Sequence, residues 1–114
     1  MEIKRFGGNG RMSRAVIYNG VLYLSGQVPG TGTDIYTQTK SVLEKIEELL
    51  KAHGSSKEKL LSANIYLKDI SMWADMNTVW DKWIVPGCEP VRTTVEASLA
   101  GSELLIEITV VAAV

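Results

Sequence analysis

The sequence predicts an α+β fold. Strand patterns pair at both ends of the chain, two helical stripes lie between them, and the last strand is apolar at both alternation phases. Val16-Ile17-Tyr18 and Val21-Leu22-Tyr23-Leu24 flank Asn19-Gly20. That dipeptide tolerates the positive φ pair of a type I′ turn, whose twist matches two paired strands, so Ala15 to Gly26 predicts a hairpin. Gly30-Thr31-Gly32 then breaks the pattern. It lacks the spacing of a phosphate-binding glycine loop and precedes an acidic helix, so it is a turn.

Asp34 to His53 predicts the first helix. Ile35, Thr39, Val42, Leu43, Ile46, Leu49 and Leu50 recur at spacings that place them on one stripe. Thr33 or Asp34 can cap its start, and Gly54 can supply the left-handed residue at its end. Leu60 to Leu67 predicts a strand, with Ala63, Ile65 and Leu67 alternating against Ser62, Asn64 and Tyr66. Asp69 or Ser71 can cap a second helix reaching about Val85, where Pro86-Gly87 stops it. Its stripe of Trp73, Met76, Trp80, Trp83 and Ile84 is expected to pack in the core. Val91 to Ser98 and Glu103 to Val114 predict the last two strands, joined through Ala100-Gly101.

The order is therefore β-β-α-β-α-β-β, with both helices expected on one face of the sheet. Leu104 to Val111 is apolar on both phases, so both faces of that strand should be buried. Two helices cover one face; another copy of the chain would cover the other, giving a closed homo-oligomer.

At 114 residues and 12.5 kDa, residues 1–114 are expected to form a single domain. The net charge of −1, with no basic block, argues against nucleic acid as a partner. The one cysteine, Cys88, permits no internal disulfide and fits a reducing compartment. The N-terminal stretch has no apolar segment of signal-peptide type, and no run approaches a membrane span. A cytoplasmic protein without membrane contact is the expectation.

Arg92 and Glu107 are the residues most suggestive of chemistry. Each lies in a predicted strand where a charge is costly. With Val91, Thr93 and Val95 facing the helices, Arg92, Thr94, Glu96 and Ser98 would point to the opposite face. Glu107 would share that face, at the subunit interface. An arginine fork grips a carboxylate at two points, and a glutamate in a low dielectric can exchange protons near neutrality. A structural ion pair between the two explains the pattern equally well. His53 suits the C-terminal dipole of its helix. Cys88 is read as an ordinary loop thiol, with no activating base nearby in sequence. Arg5, Arg11 and Arg14 are read as solvated, with the alternative that one of them lines a ligand site. One His, one Cys and no clustered acids speak against a zinc site.

In a set of short motifs taken in order, the chain resembles the Rid family (RidA/YjgF, reactive intermediate deaminases). The motifs are Ser25-Gly26-Gln27-Val28-Pro29, Asn64 to Asp69, Ala74-Asp75-Met76-Asn77 with Trp80, Pro90-Val91-Arg92-Thr93-Thr94-Val95, and Ile106-Glu107-Ile108. The resemblance implies a chorismate-mutase-like α+β fold and a homotrimer with clefts between subunits. It implies hydrolysis of 2-imino acids such as 2-aminoacrylate or 2-iminopropanoate to 2-oxo acids and ammonia, as a 2-iminobutanoate/2-iminopropanoate deaminase does, with no cofactor. Arg92 would bind the substrate carboxylate, and Glu107 would orient or deprotonate the attacking water. The Thr94 backbone would help to position substrate, with Ser25 and Asn77 near the cleft. A regulatory trimer that binds small carboxylates without catalysis is the alternative. The chain departs from the family pattern at Gly10-Arg11-Met12-Ser13, where many members carry Gly-Pro-Tyr, and at Thr94, where many carry cysteine. The loop after Pro29 is also shorter than usual. These departures resemble a divergent subgroup, and the preferred imine side chain is not implied.

Overall fold

A computed structural model describes all of residues 1–114. The strands are β1 (Lys4–Phe6), β2 (Ala15–Tyr18), β3 (Val21–Leu24), β4 (Leu60–Leu67), β5 (Val91–Glu96) and β6 (Ile106–Ala113). The helices are α1 (Ile35–Ala52) and α2 (Trp73–Trp83), with short 3₁₀ turns before β4 and α2. The strands form one mixed sheet in the order β1-β2-β3-β6-β4-β5. β4 and β5 run parallel, linked by α2, and the other pairs are antiparallel. This is the α+β architecture expected. The addition is β1, a short, wholly exposed edge strand too brief and too polar to show a period.

Local chemistry explains the boundaries. Asn19 (φ 53°) and Gly20 (φ 76°) take the left-handed pair that the β2–β3 turn requires. The Asp34 carboxylate accepts from the Thr37 amide at 2.8 Å and caps α1, and Gly54 (φ 80°) follows its last turn. One face of the sheet packs on both helices. Leu22, Ala63, Ile65, Leu67, Ile106, Ile108, Val110 and Ala112 bury there against Val42, Leu43, Ile46 and Leu50 of α1 and Met76 and Trp80 of α2. Gln38 also sits in this interior. Its amide donates to the carbonyls of Gly32 and Glu103 and accepts from the Leu105 N–H, tying α1 to the approach of β6. These bonds satisfy its buried polar atoms.

The opposite face carries no element of this chain. By strand alternation and register it presents Val16, Tyr18, Tyr23, Val111, Thr109, Glu107, Tyr66, Asn64, Thr93 and Val95. The second helical stripe is less uniform than expected. Trp80 is buried and Trp83 half-buried, but Trp73, the first residue of α2, stands 48% exposed.

Candidate active site

Arg92 lies on β5, which has β4 on one side and no strand on the other. Its register partner is Ala63, and Thr94 pairs with Ile65, both core residues. Arg92 and Thr94 therefore face the helices, and Val91, Thr93 and Val95 on the other phase are exposed, the valines at 74% and 42%. This reverses the expected orientation of β5. The phase of Val91, Thr93 and Val95 is the more apolar, so alternation points it at the core; at this sheet edge the polar phase turns inward instead, because Asn77 and Trp80 of α2 give Arg92 partners there.

The Arg92 guanidinium rests over the ring of Trp80, 5.2 Å from its centroid. Nη1 donates to Asn77 Oδ1 at 2.8 Å. Trp80 and Asn77 both belong to α2, which lies over the β4–β5 end of the sheet. The protein's ion pairs join Glu47 to Lys51 and Lys57; Arg92 takes part in neither. Burial pushes the Arg92 pKa down, and the nearby negative charge of Asp81 opposes that shift. The result is a half-buried, charged guanidinium with one neutral acceptor, one aromatic face and most of its N–H donors uncommitted.

Thr94 stands two residues along the same face. Its hydroxyl oxygen is buried without a hydrogen-bond partner. The Ala97 amide donates inward to the Leu67 carbonyl. Since N–H groups alternate in direction along a strand, that of Thr94 points outward, along the unpaired edge.

Glu107 belongs to a different place. On β6 it alternates with buried Ile106 and Ile108 and pairs across the ladder with Tyr66, on the helix-free face. β4 separates β5 from β6, so Arg92 and Glu107 are two strand spacings apart, roughly 10 Å across the sheet, and three register positions, roughly 10 Å more, along it, on opposite sides of the sheet. The expectation that they share a face is thus corrected, and no ion pair joins them within a protomer.

Glu107 instead meets the segment after β3. Gln27 and Ile108 exchange backbone hydrogen bonds at 2.9 and 3.0 Å. Gly26 passes so close to Glu107 that an added Cβ would collide with its carboxylate. Ser25 beside it donates its amide to Arg14 O at 2.9 Å, and its own carbonyl and hydroxyl accept from the Gln27 amide. The expected site residues thus fall into two groups. Arg92, Asn77 and Thr94 sit at the sheet edge under α2, and Ser25 and Glu107 sit on the open face. Trp80, read from the sequence as core and as part of the Ala74–Asn77 motif, lies beside the first group, under the Arg92 guanidinium.

The sequence profile of a family described as Endoribonuclease L-PSP matches residues 2–114. A crystal structure from Neisseria meningitidis, described as a member of the YjgF protein family, superposes with a TM-score of 0.96 at 44% identity, covering 99% of this chain and 95% of that one. The chain belongs to the YjgF/Rid family. Another family structure, a conserved Rid protein of unknown function from Yersinia pestis, has a TM-score of 0.87 at 32% identity, covering 94% of this chain and 90% of its own. Among curated relatives, the RutC family protein YoaB of Escherichia coli is 40% identical over 114 residues, the whole of both chains. Family membership supports a general Rid-type role for this chain. No helix is long and apolar enough to cross a membrane.

Proposed function

We propose that this protein is a cofactor-independent imine/enamine deaminase of the cytoplasm, hydrolysing 2-imino acids to 2-oxo acids and ammonia in clefts between the subunits of a homotrimer. The observation that carries the reading is Arg92: a half-buried guanidinium without an anionic partner, held on one side and open on the other. Leaving such a charge unpaired is costly unless a ligand completes it, and a planar carboxylate matches its fork.

Substrate carboxylate pairs with Arg92, and the outward Thr94 amide at the strand edge adds a donor. Glu107 orients a water or takes its proton as the oxygen attacks the imine carbon. The carbon–nitrogen bond then breaks, the nitrogen leaves as ammonia, and the carbonyl of the 2-oxo acid remains. Imines hydrolyse readily unaided, so orientation and acid–base help on the order of 10²–10⁴-fold suffice. Because Arg92 and Glu107 face opposite sides of one sheet, a cleft that uses both takes Arg92 from one subunit and Glu107 with Ser25 from its neighbour. The uncovered apolar face bearing Tyr18, Tyr23, Val95 and Val111 supports such an assembly.

A second reading has an observation in its favour. The carboxylate-gripping half is complete within one protomer without Glu107, so the same site suits a non-catalytic regulator that senses small carboxylates. Cleavage of RNA, which the family description suggests, finds little support: the lone His53 ring packs on Phe6 at 4.8 Å, and the net charge is −1.

The deciding experiment generates 2-iminopropanoate in place with an amino-acid oxidase and follows 2-oxo acid release. Wild-type protein is expected to accelerate it, and Arg92→Ala to lose about 10²-fold or more of that effect, since two charge-assisted hydrogen bonds disappear. No acceleration by wild type, with retained binding of pyruvate, would favour the regulator.

A further inference from the structure

Trp80 carries an unassigned role. It is 5% exposed and belongs to the apolar interior, which by itself suggests nothing beyond packing. Its surroundings are more specific. One indole face lies beneath the Arg92 guanidinium at 5.2 Å. Trp83 packs against it at 5.6 Å with the rings tilted by 48°. The Trp83 indole N–H donates to Glu47 Oε1 of α1 at 3.2 Å, and Lys57 donates to the Trp83 carbonyl at 3.0 Å. The ring beneath Arg92 is therefore backed by a second ring tied to the neighbouring helix, which limits its movement.

We propose that Trp80 is a positioning residue for the carboxylate-binding arginine. Asn77 fixes one nitrogen of the guanidinium, but a single hydrogen bond leaves the group free to swing about it. The indole face removes that freedom. It attracts the cation through its quadrupole without offering an acceptor, so Arg92 is oriented yet its remaining donors stay available. A carboxylate beneath Arg92 would have consumed those donors. An aliphatic residue would have left the plane undefined. The aromatic platform thus pre-organises the fork for a planar carboxylate and reduces the ordering cost of binding. This inference rests on the reading of Arg92 as the substrate-carboxylate site.

The test compares Trp80→Phe, which keeps a π face, with Trp80→Leu, which keeps bulk without one. Each variant is assayed for 2-iminopropanoate hydrolysis and, separately, for pyruvate binding by calorimetry. Thermal melts identify loss of folding, and Val42→Ala, a core change on α1, shows what destabilisation alone does. Trp80→Leu is expected to raise KM and the pyruvate Kd together by about 3- to 30-fold, the range of a partly desolvated cation–π contact. Its kcat should stay within about twofold, because uniform binding is what is lost. Trp80→Phe should recover most of the affinity. Equal affinity in Trp80→Leu and wild type, or equal losses in the Phe and Leu variants, overturns the inference. So does a matching rise in Kd for Val42→Ala. If Arg92→Ala retains full activity and pyruvate affinity, the functional reading itself fails, whatever Trp80 does.

Discussion

β5 and β6 each carry an ionisable residue of the candidate site, Arg92 and Glu107, yet the two strands occupy opposite circumstances. β6 lies near the middle of the sheet between β3 and β4, and every second residue from Ile106 to Ala112 is buried. β5 lies at the edge, and its valines are exposed while its arginine turns inward under α2. At the centre of a sheet, burial enforces the hydrophobic phase. At an edge the phase is set by what the neighbouring helix offers, and here α2 offers Asn77 and Trp80. A charge on the central strand is therefore pushed to the open face, and a charge on the edge strand can be drawn beneath the helix.

The contrast breaks most sharply in stability. Ile108→Ala, in the fully buried phase of β6, is expected to cost about 2–5 kcal/mol through lost burial and an unfilled cavity. Denaturant unfolding measures it. Val95→Lys on the exposed phase of β5 should leave the protomer folded but dissociate the proposed homotrimer, as light scattering would record. An unchanged assembly in that variant would remove the open face from the interface.

A smaller effect separates the two half-sites. Gly26→Ala places a methyl group against the Glu107 carboxylate and displaces it. Activity should fall about 10- to 100-fold through kcat, as misplacement of a catalytic group does. Pyruvate affinity at Arg92 should stay near wild type. A loss confined to affinity would mean that the two groups do not divide the work as proposed.

The smallest effect lies away from both half-sites. Asp69 accepts from the Ser71 amide at 2.8 Å ahead of α2, and hydrogen bonding from the Ser71 hydroxyl first, and from that amide second, holds its carboxyl below the usual aspartate range. A depressed folded-state pKa contributes stability above the unfolded value, which is lost as pH falls through the folded one. Asp69→Ala should therefore lower Tm slightly at neutral pH, and the difference should vanish in strong acid. A difference that persists there would assign the effect to packing.

Much of the architecture is legible in the chain because its signals are local. The stripe from Ile35 to Leu50, the Asn19-Gly20 turn, the alternation from Leu60 to Leu67 and the breaker at Pro86-Gly87 each act through neighbours a few residues away. β1 was not legible, since three exposed residues have no period to read. Gln38 was not either, because its three backbone partners include two from residues far along the chain. The candidate residues Arg92, Thr94, Asn77, Ser25 and Glu107 could be picked out by type and motif. Their division into two groups could not.

By itself the sequence determined element order, turn positions, the charged residues in apolar strands and a surplus of apolar surface. These follow from backbone preference and hydrophobic period, which act at short range. Tertiary structure alone decided that β6 inserts between β3 and β4, that β5 becomes an edge, and that α2 lies over it. Those choices set which side of the sheet Arg92 meets and put Trp80 beneath it. The physical reason is that a strand's two faces are equivalent until neighbours cover one, and here the covering residues lie elsewhere in the chain.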